Sequence, residues 1–475
     1  MKKRLPVLPD RGDGDSKEAS SSLGSVDRKP FIGNVALVTL GCSKNTVDSE
    51  LMLGALVARG FRSVEDPANA DLIVVNTCAF IESAVKESID VILSLVSYKK
   101  KGRCRKLVVV GCMVERYKRD LAMELPEVDR FVSADEILRI GFEEGTTAEC
   151  FDQARRPYFL YDESMPRVYS TGRGSAYVKI SDGCDRKCTF CIIPDIRGSF
   201  RSRSRDSIVS EVRTMVQGGV REINLVAQDL TAYGTDFSER PPAGRELVSL
   251  LREITRTLGH AQDYWIRLYY AYPVGTTDEL IRFVADTPFL CNYLDIPLQH
   301  ISAAVLKRMQ RPLGEKGSRE LINRIRQTAP GIALRTTFLV GFPGETDRDV
   351  EQLEEFVRAG HFAHVGVFTY SQEREAKSYA YPAQVEEAVK EERRSRIMLA
   401  QRDIVELRLK QFVNRQVRIL VDRQQDATTF VGRTEWQGPE EDGEVFVSAS
   451  KKMQIGQFAE VEITGARSYD LIAKT

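Results

Sequence analysis

The chain has no apolar run long enough to cross a bilayer, and Met1 to Phe31 has no apolar core of the kind that marks a secretory signal. A cytoplasmic protein without a membrane partner is therefore expected. Net charge is also missing: 68 basic and 68 acidic side chains cancel, which excludes a global field drawing the protein to nucleic acid or an anionic surface. Histidine (4) and tryptophan (2) are scarce, and nine cysteines are too few for a disulfide scaffold in 475 residues. In a reducing compartment, grouped cysteines act as metal ligands or catalysts, so their grouping decides their meaning. A chain of this length implies roughly two to four domains, each with its own core.

Three of the cysteines crowd into Cys184-Asp-Arg-Lys-Cys188-Thr-Phe-Cys191. A CxxxCxxC loop can wrap three thiolates around one iron-sulfur cluster, and with no fourth cysteine nearby one iron stays open to another ligand. Zinc is the plain alternative, but a structural zinc needs four ligands, and the nearest histidine is His260. The four histidines (His260, His300, His361, His364) read as packing or hydrogen-bonding residues, and Cys104, Cys150 and Cys291 as structural or incidental.

The fold class expected is multidomain α/β. Residues 1–33 are polar and read as a disordered tail whose acidic residues argue against a transit peptide. Over 34–150, apolar runs at Val35–Leu40, Asp71–Val75 and Leu107–Val110 alternate with helix-like spacing at Val47–Arg59 and Ile81–Ser97, which predicts a doubly wound parallel sheet. Residues 151–172 read as a linker. Within 173–408, strand candidates at Ala176–Ile180, Ile223–Ala227, Tyr264–Tyr270, Tyr293–Ile296, Leu334–Val340 and Val365–Thr369 are separated by helix-length segments, which predicts an open, partial (βα)6 barrel. A charged helical stretch follows from Val385. Residues 409–475 hold five short strand candidates, as in a small all-β, OB-like barrel.

Cys42, Cys78 and Cys112 each follow one of the first three strand candidates, as Gly41-Cys42, Thr77-Cys78 and Gly111-Cys112. A single buried cysteine is ordinary core. The same position repeated at three strand ends, which share one edge of a parallel sheet, points to a second three-thiolate site. The loop at Cys184 stands likewise after the first strand of the barrel series, at the mouth where such folds place their active sites.

CxxxCxxC at the end of a first barrel strand resembles the radical S-adenosylmethionine superfamily, and residues 34–475 as a whole resemble its methylthiotransferases. The resemblance implies two 4Fe-4S clusters, one on Cys184, Cys188 and Cys191 and one on Cys42, Cys78 and Cys112, with S-adenosylmethionine as cofactor. It implies a carbon radical made with the first cluster and a methylated sulfur presented by the second, with an external electron donor and sulfur source. The small barrel is then TRAM-like. Cofactor contacts are expected at strand ends: Gln228, Asp229, Arg335, Thr337, Gly341, Gly344 and Glu345, with Gln299 and His300 of similar standing and no catalytic residue assigned beyond the cluster ligands. Gly341-Phe-Pro-Gly344 reads equally well as a tight loop.

Within that family, Gly41-Cys-Ser-Lys-Asn-Thr-Val-Asp-Ser-Glu50, Gln228-Asp-Leu-Thr-Ala-Tyr-Gly234 and Gly432 to Gly443 resemble the RimO branch, which methylthiolates an aspartate of the twelfth small-subunit ribosomal protein. The branch acting on transfer RNA adenosine has Gln-Met-Asn where Ser43-Lys44-Asn45 stands here. Leu230 departs from the threonine common in RimO proteins. Over residues 411–475, eight basic side chains against ten acidic ones leave two negative charges, which suits a basic protein partner better than RNA. Trp436 is a candidate partner anchor or core residue. Arg197, Arg201, Arg203 and Arg205 are the counter-signal, since such a run can track a nucleic-acid backbone. A transfer RNA substrate and a non-catalytic iron-sulfur or sulfur carrier are the alternatives.

Overall fold

The computed structural model describes residues 31–117, 119–133, 160–170, 174–259 and 263–475. The expectations for residues 1–30, Cys150, positions 151–159 and 171–172 of the linker, and His260 lie outside the described residues. The chain divides into two compact units, residues 1–171 and 172–475. Among the described residues no helix is long and apolar enough to cross a membrane.

The first unit runs β1 (Gly33–Thr39), α1 (Ser43–Ala58), β2 (Phe61–Ser63), β3 (Leu72–Thr77), α2 (Glu82–Lys101), β4 (Lys106–Gly111), α3 (Cys112–Tyr117), α4 (Arg119–Glu124), β5 (Arg130–Val132). The strands are all parallel, in the order β2-β1-β3-β4-β5. This is a doubly wound order whose ligand crevice lies at the carboxyl edge, where the winding reverses between β1 and β3. β3 is buried at every position and β4 at all but its first, which is why both read as unbroken apolar runs. β2 and β5 have three residues each, too few to show a period, and escape sequence reading. Residues 160–170, part of the expected linker, lie against α1. Buried Glu50 of α1 accepts from the Arg167 guanidinium and the Ser170 amide, both at 2.6 Å, and its carbonyl accepts from the Val168 amide at 3.1 Å. This stretch is an edge of the first unit, held by a carboxylate that burial allows only because donors surround it.

The second unit begins with β6 (Ser175–Lys179), the two-residue pair β7 (Ser181–Asp182) and β8 (Arg201–Ser202), α5 (Ile193–Arg197) and α6 (Arg205–Gln217). It continues through β9 (Glu222–Val226), α7 (Arg245–Leu258), β10 (Trp265–Leu268), α8 (Asp278–Asp286), β11 (Tyr293–Asp295), α9 (Ala303–Arg308) and α10 (Gly314–Thr328). β12 (Ala333–Val340), α11 (Asp347–Arg358), β13 (His364–Thr369) and α12 (Glu387–Lys410) complete the series. Parallel sheets β10-β9-β6 and β11-β12-β13 are joined by a bridge between Ile266 and Leu290, giving the six-stranded partial barrel expected. α12 buries Lys390, Arg393, Ile397, Ala400, Gln401 and Val405, one helical stripe.

The tail closes into a five-stranded barrel, β14 (Gln416–Gln424), β15 (Thr429–Thr434), β16 (Val445–Ser448), β17 (Phe458–Arg467) and β18 (Asp470–Lys474), in the order β14-β15-β16-β18-β17. It packs on the amino ends of the partial-barrel strands through buried charge. Glu222, first in β9, accepts from Arg433 at 2.8 Å and Arg267 at 3.0 Å. Arg335 donates to Asp442 at 2.9 Å and Glu441 at 2.8 Å, and the Tyr293 hydroxyl donates to Asp442 at 2.8 Å. Within the acidic stretch 440–442, the Asp442 side chain is fully buried against the partial barrel, while Glu440 and Glu441 are exposed, Glu441 paired with Arg335. Trp436 is half-buried against the core of the small barrel: it packs on Phe412 at 5.1 Å, and its carbonyl lies 2.8 Å from His364 Nε2.

Candidate active site

In the first unit the three cysteines stand at the carboxyl ends of β1, β3 and β4, three adjacent strands. Asn45, fully buried in the first turn of α1, ties their loops together. Its amide donates to the Leu40 carbonyl at 2.9 Å and the Thr77 carbonyl at 3.1 Å, and its carbonyl oxygen lies 3.9 Å from Cys112 Sγ. Asn76 in turn donates to the Asn45 backbone at 2.9 Å. Gly41 and Gly111 both have φ of +94°, where a side chain is strained. A Cβ on Gly41 would lie 3.2 Å from Cys78 Sγ, so the glycine keeps the space beside that sulfur clear.

In the second unit Cys184 is buried while Cys188 and Cys191 are half-buried. The Cys191 amide donates to the Cys188 carbonyl at 3.1 Å, and the Arg186 amide to Cys184 Sγ at 3.4 Å. Thr189 pins the loop from outside: its amide donates to the Met309 carbonyl at 3.2 Å and its hydroxyl to the Arg308 carbonyl at 2.9 Å. Burial pushes the Cys184 thiol up to about 11 and the Cys191 thiol up to about 12. Among the described residues no three ligating side chains stand close enough together to hold a single metal ion as they are placed.

Asp229 joins the loop to its pocket. It is buried, accepts from Arg186 at 2.8 Å and Thr231 at 2.7 Å, and with Cys184, Arg186, Phe200, Ala232 and Thr235 it lines a cavity of about 240 Å³. Gln228 donates to Asp182 at 2.8 Å while its carbonyl oxygen is buried without a hydrogen-bond partner. The other expected cofactor contacts lie elsewhere or serve the scaffold. Arg335 is near the amino end of β12, committed to Asp442 and Glu441, which removes it from the mouth. Thr337 is half-buried within β12, its carbonyl accepting from Gln299 at 2.8 Å. Glu345 is buried: it accepts from the Gly341 amide at 2.8 Å and Arg393 at 3.0 Å and faces His300 at 3.4 Å, so it braces the Gly341–Gly344 turn. His300 accepts from the Ser302 amide at 2.9 Å, and His361 packs on Phe356 and Phe362, as packing histidines do.

Three of the four arginines of the run, Arg197, Arg201 and Arg203, are buried, and Arg205 is half-buried. Arg203 pairs with Glu211 at 2.6 Å, Arg197 with Asp182 at 3.6 Å, Arg201 donates to the Arg197 carbonyl at 2.9 Å, and Arg205 pairs with Glu246. The counter-signal for nucleic acid is therefore scaffold. Cys104 and Cys291 are buried, with Cys104 Sγ donating to the Lys106 carbonyl at 3.3 Å. Leu230, at the departure from the RimO pattern, is fully buried in the main core.

Residues 34–133 match the family described as Uncharacterized protein family UPF0004, residues 178–357 the Radical SAM superfamily, and residues 413–475 the TRAM domain. A ribosomal protein uS12 methylthiotransferase RimO of Geobacter sulfurreducens is 43% identical over 445 residues, covering 93% of this chain and 98% of that one. Its counterpart in Geotalea uraniireducens is 44% identical with the same coverage. The chain belongs to the RimO family. The family is one of radical S-adenosylmethionine methylthiotransferases, and that superfamily implies S-adenosylmethionine and a 4Fe-4S cluster. Among solved structures, the cobalamin-dependent S-adenosylmethionine radical enzyme OxsB with aqua-cobalamin bound shares the fold, with a TM-score of 0.51 at 13% identity, covering 78% of this chain and 56% of that one.

In this RimO-family chain, sequence reading missed three residues at the sites. Asn45 lies inside the quoted Gly41–Glu50 motif, but nothing in its spacing shows that it reaches two other strands. Arg311 and Tyr272 come to the cysteine loop from βα units 123 and more than 80 residues away, a distance no local pattern spans.

Proposed function

We propose that the protein inserts a methylthio group at the β-carbon of an aspartate in ribosomal protein uS12, using two 4Fe-4S clusters, one on each cysteine triad. The observation that supports this most is the likeness to uS12 methylthiotransferases over 93% of the chain, which takes in both triads and the tail. The donor sets fit: three thiols at adjacent carboxyl strand ends in the first unit, and three on one pinned loop in the second. With S-adenosylmethionine at the loop's open iron, the bound groups supply one-electron bond cleavage strong enough to activate an unreactive C–H position.

The chain's own residues prepare that chemistry. Asp229 fixes Arg186 beside Cys184, and Gln228, its neighbour in the chain, carries a buried oxygen without a hydrogen-bond partner, suited to an ammonium donor. Gly341 and Gly344 shape the turn after β12 and leave the cofactor contacts proposed there to the backbone. Phe200 and Ala232 give the cavity beside Cys184 part of an apolar wall. The electron donor and sulfur source are external to the chain. The transfer RNA reading is weakened because Arg197, Arg201 and Arg203 are buried and half-buried Arg205 is paired with Glu246.

Asn45→Leu should remove the first-unit cluster alone: iron falls from about eight to about four per chain, while cleavage of S-adenosylmethionine persists and methylthio transfer stops. Unchanged iron would show that Asn45 does not hold the three loops. For the function itself, mass spectrometry of uS12 from cells lacking the gene should show the aspartate without its methylthio group, restored by the wild-type gene. An aspartate still modified in the deletion strain would sink the proposal.

A further inference from the structure

We propose that Arg311 is the counter-charge of the cluster on the Cys184 loop and the positioning residue for Cys188, setting how readily that cluster takes up an electron. The inference rests on the reading of this loop as a cluster site. Arg311 follows α9 and is only 8% exposed. Its guanidinium donates to the Pro297 carbonyl and, at 3.7 Å, to Cys188 Sγ. Among the described residues no carboxylate stands within ion-pair distance of it, although nearly every other buried arginine of the second unit has one: Arg267, Arg335, Arg393 and Arg433 are all paired.

A second cation makes the contrast sharper. The guanidinium carbons of Arg186 and Arg311 lie 4.1 and 4.3 Å from the centroid of the same ring, Tyr272. Arg186 is neutralised by Asp229 at 2.8 Å; Arg311 is not neutralised. A buried cation with no anion is costly, and chains retain one where a partner of opposite charge arrives. The groups that become anionic beside Arg311 are the loop thiolates once iron displaces their protons. Three thiolates outweigh the charge of an oxidised four-iron core, and the incoming electron adds to that excess. A fixed cation with an N–H···S contact therefore favours the reduced state and raises the potential.

The backbone supports the same reading. The segment that carries Arg311 also receives the Thr189 amide and hydroxyl on the carbonyls of Met309 and Arg308, so one stretch of chain both holds the loop and delivers the charge. Tyr272, buried against both guanidiniums, limits where Arg311 can swing.

The test uses the full chain with Cys42, Cys78 and Cys112 replaced by alanine, so that only the loop cluster contributes. Reconstituted anaerobically, this parent should hold about four irons. Its midpoint potential is read by redox titration followed by electron paramagnetic resonance, beside R311M and R311K in the same background. R311M should bind the electron at least tenfold more weakly, a midpoint about 59 mV more negative for a one-electron couple, with R311K lying between. An R311M midpoint equal to the parent's, with iron retained, overturns the proposal. If R311M loses its iron, R311K decides: it must keep iron with a midpoint below the parent's by less than that tenfold step, and loss in both variants assigns Arg311 to shape and overturns the charge role. A parent without any iron overturns the cluster reading first, and this inference with it.

Discussion

Cys184→Ala is expected to abolish cleavage of S-adenosylmethionine and methylthio transfer together, while the chain keeps about half its iron. The loop has three thiols and no spare, so removing one leaves a two-cysteine site that cannot hold a cluster with a single open iron. Folding should survive. Backbone contacts shape most of the loop: the Cys184 amide donates to the Gly198 carbonyl at 3.2 Å, and Thr189 is pinned at Met309. Alanine retains these and loses only the Arg186 amide contact to the sulfur. Chromatographic assay of cleavage products from the anaerobic, reduced protein checks the outcome, and cleavage at the wild-type rate would remove the loop from the chemistry. The thermal transition of the iron-free protein, unchanged by the substitution, separates lost chemistry from lost fold.

Glu222→Ala should be the most destabilising single change away from the cysteines, by roughly 3–5 kcal/mol. Glu222 is wholly buried and accepts from Arg433, Arg267 and Ser175, at 2.8, 3.0 and 2.9 Å. Without it two buried guanidiniums face each other where the tail meets the partial barrel. Burial alone would raise the Glu222 carboxyl; Arg433 and Arg267 overcome that and hold it at about 2, below its ordinary 4.5. A carboxyl depressed in the folded state contributes its full stability above its unfolded value and loses it as pH falls toward the folded one. Wild-type stability from this group should therefore decline between about pH 5 and pH 2, and the decline should be smaller in Glu222→Gln, read as denaturation midpoints against pH. Parallel curves for wild type and Glu222→Gln would contradict the assignment.

The sequence carries the fold well where the signal is local. Six barrel strands and both long helices of the first unit show as apolar runs or helical spacing, because burial on a parallel sheet is written residue by residue into each strand. The cysteine placement is local too: each stands within three residues of a strand end, and a parallel sheet sends all such ends to one edge. What escapes is pairing across the chain. Arg335 meets Asp442 at a separation of 107 residues and Glu222 meets Arg433 at 211, so a strand arginine at a plausible mouth and an acidic turn on a plausible surface are in fact each other's partners. The run from Arg197 to Arg205 misleads in the same way, since charge spacing alone cannot tell a solvated stripe from arginines that fold inward onto Asp182, Glu211 and Glu246. The charge balance of the tail shares this weakness. Asp422, Glu435, Glu441, Asp442, Glu444 and Glu462 all have partners within the chain, so the argument for a protein substrate rests on the RimO motifs and relatives.

The central claim is that two cysteine triads, one at the carboxyl edge of a doubly wound sheet and one on a barrel-mouth loop, each hold a four-iron cluster. Iron content and the absorption spectrum of the anaerobically reconstituted chain test it most directly. The account predicts about eight irons per chain, falling to about four when either triad is replaced by alanine and to none when both are. About four irons in the intact chain, unaffected by loss of Cys42, Cys78 and Cys112, would contradict it.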